Sequence, residues 1–170
     1  MKPDRERHSR REFLLAAGGV AAAAALQPAA SFAQIPTRAA RATPIVAMPA
    51  ATLQAMRTVT GGAALNRGKV TLELPQLVDN GNGVTLGVQV ESPMSEADHV
   101  RAIHVFAEKN PLPEVASFHL GQRAGRARVS TRIRLADTQT VVAIAELSDG
   151  SFWYATADSV VTMSSCLEEL

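Results

Sequence analysis

The segment Ala127-Arg128-Val129-Ser130-Thr131-Arg132-Ile133-Arg134-Leu135-Ala136 gives the clearest indication of the fold, because its side chains alternate in character. The odd-numbered positions are apolar or β-branched, and the even-numbered positions up to 134 are arginine or serine. Successive side chains of a strand point to opposite faces of a sheet, so this alternation indicates a strand with one buried face. The segment therefore predicts a half-buried strand whose arginines face solvent.

The same period of two continues through much of the chain after Lys69. Residues 140–147 are mostly apolar, which is typical of a central strand buried on both faces. Further candidate strands are residues 70–74, 84–90, 103–107, 116–120, 151–155 and 159–163, separated by turn clusters such as 79–83 and 110–113. About eight short strands at this spacing, with no helix long enough for a βαβ unit, predict an all-β fold, an immunoglobulin-like antiparallel β-sandwich.

One short helix is predicted ahead of the strands, over residues 49–59. Pro49 suits a first helical turn, and Gly61 suits a helix end. Leu53, Met56 and Val59 are spaced three apart, so we expect them to share the buried face of this helix.

The beginning of the chain has the features of an export signal. Ser9-Arg10-Arg11-Glu12-Phe13-Leu14 is a twin-arginine pattern, and the apolar segment 14–26 that follows has 13 residues. A helix that spans a bilayer needs about 20 apolar residues, so this segment is too short for a stable membrane anchor. Small residues at Ser31 and Ala33 suit signal peptidase and predict cleavage before Gln34.

The chain is therefore divided into three parts. Residues 1–33 are predicted to be a twin-arginine signal peptide, 34–163 a sandwich domain, and 164–170 a flexible C-terminal tail. The twin-arginine pathway exports folded proteins, so the predicted location is the periplasm. Removing residues 1–33 takes away five basic and three acidic residues and leaves a net charge near −1, which gives no indication of nucleic-acid binding.

The single cysteine of the chain, Cys166, lies in the run Ser164-Ser165-Cys166-Leu167-Glu168-Glu169-Leu170. It cannot form an intrachain disulfide. Exported proteins favour paired cysteines, so this one is either a reactive thiol that meets other proteins or an incidental free cysteine. Its position alone leaves both interpretations open.

Other candidate sites are weaker. A copper or zinc site built from His99, His104 and His119 would need three or four convergent ligands, and no H-x-H or paired cysteine indicates one. Structural or surface histidines are favoured, and no metal is predicted. A serine nucleophile is not favoured either, because the sequence has no Gly-x-Ser-x-Gly elbow.

Five arginines cluster in one loop and on the exposed face of the strand that follows it. They are Arg123, Arg126, Arg128, Arg132 and Arg134. The favoured interpretation is a solvated face, and the alternative is a docking stripe for a partner or an anion.

The segment Glu91-Ser92-Pro93-Met94-Ser95-Glu96-Ala97-Asp98-His99-Val100, with its continuation to residue 116, closely resembles SoxY, the carrier protein of the periplasmic Sox thiosulfate-oxidation system. Residues 69–75, 129–136, 142–146 and 148–152 also look like that family. The resemblance implies an immunoglobulin-like sandwich that pairs with a SoxZ-like subunit. It also implies that sulfur intermediates are held covalently on the cysteine near the C-terminus, here Cys166.

A SoxY-like carrier is not an enzyme by itself. The resemblance implies that SoxXA-, SoxB- and SoxCD-like partner enzymes conjugate thiosulfate to the cysteine, oxidise the sulfane sulfur and hydrolyse off sulfate. No cofactor is implied apart from the covalently bound sulfur substrate. Nucleic acid is not an implied partner, and no membrane contact is implied after signal cleavage.

The tail departs from the family ending, Gly-Gly-Cys-Gly-Gly, and retains only the cysteine. Leu167 fits a glycine-sized channel poorly, and Glu168 and Glu169 disfavour the thiolate and repel anionic sulfur species. Three hypotheses follow: a carrier for enzymes with different channels, a paralogue that carries another sulfur species, or a non-catalytic binding or scaffold subunit. Retention of Cys166 favours the first two.

Overall fold

The computed structural model describes residues 45–164, which contain one α-helix and nine β-strands. In chain order these are α1 (Ala50–Thr60), β1 (Leu65–Arg67), β2 (Val70–Glu73), β3 (Leu77–Val78), β4 (Val84–Val90), β5 (Val100–Ala107), β6 (Glu114–His119), β7 (Arg128–Ile133), β8 (Gln139–Leu147) and β9 (Phe152–Val161). The predicted signal peptide and residues 165–170 of the predicted tail lie outside this range.

The strands form two sheets, as the predicted sandwich requires. The larger sheet has the order β1-β9-β8-β5-β6, with β3 also paired to β9, and the smaller sheet has the order β2-β4-β7. The pairs between long strands are antiparallel, whereas β1 and β3 pair with the two ends of β9 in parallel. The immunoglobulin-like sandwich is confirmed, with these two short parallel additions.

The alternating strands bury the faces that their patterns predict. In β7, Ile133 is buried while Arg128 and Arg132 are exposed. β8 lies between β5 and β9, and eight of its nine residues are buried, which confirms the predicted central strand. The core between the sheets combines side chains of both, among them Leu86, Ile103 and Val141.

A second apolar layer lies on the outer face of the larger sheet, where α1 packs. Met56 is 3% exposed and packs with Phe106 and Ile144, whose side chains point away from the inter-sheet core. The hydroxyl of Thr52 donates to the carbonyl oxygen of Glu108 at 3.2 Å and so fixes the helix to the end of β5. β5 and β8 are therefore covered on both faces.

The helix ends at Gly61, which adopts φ of 62°, as predicted for a left-handed cap. Its most buried residues are Thr52, Met56 and Thr60, spaced four apart. Leu53 and Val59 are only half-buried and flank that line. The buried face of α1 is therefore rotated around the helix axis from the predicted face, and only Met56 is common to both. A threonine can lie at the centre of this contact because its hydroxyl has a backbone hydrogen-bond partner.

The predicted strands need correction at two points. Instead of two strands over 151–155 and 159–163, the structure has one continuous strand, β9, over Phe152–Val161. The polar residues between them do not break it, because the hydroxyl of Thr140 on β8 donates to Asp158 at 2.7 Å. β1 and β3 were not predicted, since two or three residues are too few to show a period.

Candidate functional site

Cys166, the predicted attachment residue, lies outside the described residues, but the place where its tail leaves the sandwich is well defined. Thr162 N–H donates to the carbonyl of Val78, Met163 N–H donates to that of Asp79, and Gly81 N–H donates to that of Met163 at 2.9 Å. The chain just after β9 is thus bound to the loop that precedes β4. These bonds fix the root of the tail to one end of the sandwich.

The surface beside this root is apolar. Leu77 and Val160 are cross-strand neighbours on β3 and β9, and both are exposed. Met163, directly before the tail, is exposed as well. Exposed apolar side chains that lie together in this way are typical of interaction surfaces.

The three candidate metal-binding histidines do not form one site, although two of them lie near each other. His104 is 8% exposed, and its Nδ1 lies 2.8 Å from the Ser117 hydroxyl and 3.2 Å from a Glu114 carboxylate oxygen. The ring of His119 is 6.2 Å away, edge to face. His99 lies before β5 and its buried Nδ1 has no hydrogen-bond partner within the described chain.

Within residues 45–164 there is no group of three or more His, Cys, Asp or Glu side chains arranged to hold a metal ion. The hydrogen bonds of His104 join β5 to β6, which is a structural arrangement. The absence of a metal from this protein remains a prediction.

The five arginines do not form one stripe. Arg123 and Arg126 lie in the loop before β7, and Arg128 lies 3.4 Å from Glu73 across the smaller sheet. Arg132 and Arg134 instead line a groove of about 560 Å³ between β6 and β7. The docking interpretation therefore concerns these last two arginines.

The sequence pattern does not indicate the residues that shape this groove. It marks residues 110–113 only as a break between strands, yet Asn110, Pro111 and Leu112 form one wall of the groove. Asn110 holds that wall in place, because its amide group donates to the carbonyl of Arg134 and accepts from Ala136 N–H and from the Gln139 side chain, each at 2.9 Å. The signal available was an asparagine beside Pro111, which also suits an ordinary turn.

An ion pair strengthens the same corner. Lys109 Nζ lies 3.1 Å from Asp137, and this hydrogen bond, with that from Thr138 N–H, lowers the pKa of the Asp137 carboxyl. The loop after β5 and the loop after β7 are therefore joined by side chains at one end of the groove.

No helix within residues 45–164 has the length and apolarity needed to cross a membrane.

Comparisons with known proteins match this architecture. The family model of "Sulfur oxidation protein SoxY" matches residues 56–166. The solved structure of the sulfur carrier protein SoxY from Chlorobium limicola f thiosulfatophilum is 25% identical, with a TM-score of 0.54, over 64% of this chain and 89% of that one. The superoxide reductase (neelaredoxin) from Ignicoccus hospitalis is 18% identical, with a TM-score of 0.50, over 55% of this chain and 80% of that one, and shows the fold alone.

No curated protein matches the chain in the comparison. The family match covers well over half of the sequence, and the structural match is to a carrier of the same family. The chain belongs to the SoxY family and has the fold of a sulfur carrier protein.

Proposed function

We propose that this protein is a periplasmic carrier that holds thiosulfate-derived sulfur covalently on Cys166 and presents it to Sox enzymes. The observation that carries the proposal is the family match, which extends over residues 56–166 and ends at the single cysteine of the chain. The twin-arginine pattern at residues 9–14 supports export to the periplasm.

The chemistry assigned to Cys166 needs partner enzymes. Joining thiosulfate to the thiol forms a sulfur–sulfur bond and releases the thiol proton and two electrons. The proton goes to solvent, and a SoxXA-like enzyme accepts the electrons. A SoxCD-like enzyme then accepts the electrons released as the sulfane sulfur is oxidised with oxygen from water. A SoxB-like enzyme hydrolyses off sulfate, and water supplies the last oxygen of the sulfate and the proton that restores the thiol. The carrier itself supplies a soft sulfur nucleophile, whose reactivity depends on its thiolate fraction and its accessibility.

The described geometry supports presentation rather than catalysis. The root of the tail is fixed by backbone hydrogen bonds at Thr162 and Met163. From there, the seven residues 164–170 reach at most about 23–25 Å when extended. A substrate tethered on such an arm has a raised effective concentration at each enzyme that docks on the sandwich. A SoxZ-like subunit is the proposed partner in a heterodimer.

A second candidate function rests on the residues around the sulfur. Leu167, Glu168 and Glu169 follow the cysteine. They add bulk and negative charge beside a thiol whose proposed cargo is an anion. This favours either a carrier of a different sulfur species or a binding and scaffold subunit.

Complementation distinguishes the two candidates. In a host that lacks its own carrier, the wild-type protein should restore thiosulfate oxidation, and Cys166→Ser should abolish it while the heterodimer still forms. Ser164→Cys/Cys166→Ser is the matched control for a thiol placed elsewhere in the tail. Full activity of Cys166→Ser would overturn the carrier proposal and support the scaffold function.

A further test concerns the tail sequence. Replacing residues 164–170 with a glycine-rich ending around the cysteine should raise turnover with SoxB- and SoxXA-like enzymes from a glycine-tailed system. Unchanged turnover would show that the leucine and glutamates do not restrict entry into those enzymes.

A further inference from the structure

One side of the sandwich is open between the two sheets. There β6 is the outer strand of the larger sheet and β7 is the outer strand of the smaller one. The groove of about 560 Å³ lies between these two strands. Outer strands present unpaired backbone groups, and an extended segment can pair with such an edge.

The lining of the groove combines apolar side chains with positive charge. Leu112 is 79% exposed at one wall, and Val115, Phe118 and Ile133 add further apolar surface. A ligand that fits here would have at least one apolar side chain, because only apolar contact removes this surface from water.

The two arginines of the groove have no acidic partner in the described chain. Three other surface cations of the described chain do form ion pairs, Arg101 with Glu146, Lys109 with Asp137 and Arg128 with Glu73. Arg132 and Arg134 form no ion pair with a carboxylate among residues 45–164. Glu114, which also lines the groove, is instead within 3.2 Å of His104. The groove thus favours an occupant that is both acidic and apolar.

The C-terminal tail begins beside this groove. The carbonyl of Met163 accepts from Gly81 N–H, and the carbonyl of Gly81 accepts from Leu135 N–H, each at 2.9 Å. Gly81 is hydrogen-bonded to both residues, so Met163 lies within about 10 Å of Leu135. Leu135 directly follows Arg134 at the end of the groove. Six extended residues span about 20 Å at most, so the segment after Ser164 is long enough to reach Arg132 and Arg134.

The tail also has the required composition. It ends in Leu167-Glu168-Glu169-Leu170. In an extended segment alternate residues share a face, so Leu167 lies with Glu169 and Glu168 lies with Leu170. Either face therefore presents one leucine and one glutamate, which matches a groove with apolar walls and two arginines.

We propose that residues 165–170 dock back into the groove between β6 and β7 of their own chain. A leucine of the tail packs against Leu112, Val115 and Phe118, and the glutamate on the same face of the tail pairs with Arg132 and Arg134. Cys166 is then held against the sandwich, and a processing enzyme has to displace the tail to reach the thiol. Docking of the tail does not depend on sulfur chemistry. Only the inference that docking limits the access of enzymes to the carrier thiol rests on the proposed function.

The test is the alkylation rate of Cys166 by iodoacetamide on the purified protein, followed by intact mass. Rates are compared as thiolate rate constants taken from pH profiles, so that a shifted thiol pKa does not mimic exposure. Exposed ion pairs and one leucine contact are individually weak, so we expect Arg132→Glu/Arg134→Glu to react about three- to tenfold faster than wild type. Arg123→Glu/Arg126→Glu makes the same change in net charge outside the groove and should react like wild type.

A charge swap separates docking from general effects. Glu168→Arg/Glu169→Arg alone should also react faster, because arginines then face arginines. Combined with Arg132→Glu/Arg134→Glu, it should restore the slow rate. All four arginines in these variants are exposed, so the fold should be retained, and the urea midpoint of each variant checks this.

Equal rates for the groove and control variants, or no restoration by the swap, would overturn the proposal. The same holds if the groove variants leave alkylation unchanged but weaken binding of a partner subunit, since the occupant is then another chain. The assay contains neither thiosulfate nor Sox enzymes, so its result is independent of whether Cys166 carries sulfur.

Discussion

Asn110 is the residue whose replacement tests most sharply how the wall of the groove is built. Its side chain makes three hydrogen bonds of 2.9 Å, to the Arg134 carbonyl, Ala136 N–H and the Gln139 amide. Gln139 is only 4% exposed, and Ala136 is buried, so water does not readily replace the acceptor that Asn110→Ala removes. Two buried donors left without a partner cost about 1–3 kcal/mol each, and the exposed Arg134 carbonyl costs little. Both hydrogen bonds are only partly buried, so we expect the lower part of that range, about 1–1.5 kcal/mol for each donor and a fall of about 2–3 kcal/mol in the free energy of unfolding.

Urea unfolding measures this change, with an unaltered m value as the sign that only stability has changed. Asn110→Asp is the matched control, because its carboxylate keeps the acceptor for Ala136 and Gln139 and loses only the donor to Arg134. It should cost about 1 kcal/mol or less. A loss below about 0.5 kcal/mol for Asn110→Ala, or equal losses for both variants, would refute this account of the wall.

Two further predictions concern the outer layer and the corner of the groove. Met56→Ala should lower the free energy of unfolding by about 2–4 kcal/mol, because Met56 is 3% exposed on the buried face of α1, whereas Arg57→Ala on the exposed side should stay within about 0.5 kcal/mol of wild type in the same urea assay. Lys109→Ala should raise the pKa of Asp137 toward its ordinary value, because the hydrogen bond and charge of Lys109 lower it. The stability that this carboxylate contributes is present at neutral pH and is lost as pH falls through its lowered pKa, so the variant should lose it at a higher pH. NMR titration of the carboxyl carbon checks this, and an unchanged pKa would contradict the pairing.

The sandwich could be predicted because its strands follow simple rules of burial. β4, β7 and β8 lie where alternation or a continuous apolar run indicates them. α1 lies between Pro49 and Gly61, as its end signals predict. These features depend on local sequence, so a single chain shows them.

Features set by tertiary pairing could not be predicted. β1 and β3 are strands only because β9 lies beside them, and β9 continues through Asp158 because Thr140 on the neighbouring strand bonds it. The groove arises in the same way. Residues 110–112 and 131–134 are about 20 positions apart in sequence, and the hydrogen bonds of Asn110 bring them together.

The candidate attachment residue could be predicted from its residue type and the family resemblance, without knowledge of the fold. The sequence indicates Cys166 by its isolation and by the family resemblance, and the structure adds the position of the root at Met163. The sequence also contains the arginines and the acidic tail. Only the structure shows that Arg132 and Arg134 lie near the place where that tail begins.

Covalent attachment of sulfur to Cys166 can be tested by intact-mass analysis of the purified protein after incubation with thiosulfate and its cognate Sox enzymes. We predict a thiosulfate adduct that maps to Cys166, is removed by a thiol reductant and is absent from Cys166→Ser. Wild-type protein that gains no adduct under these conditions, or an adduct that persists in Cys166→Ser, would contradict it.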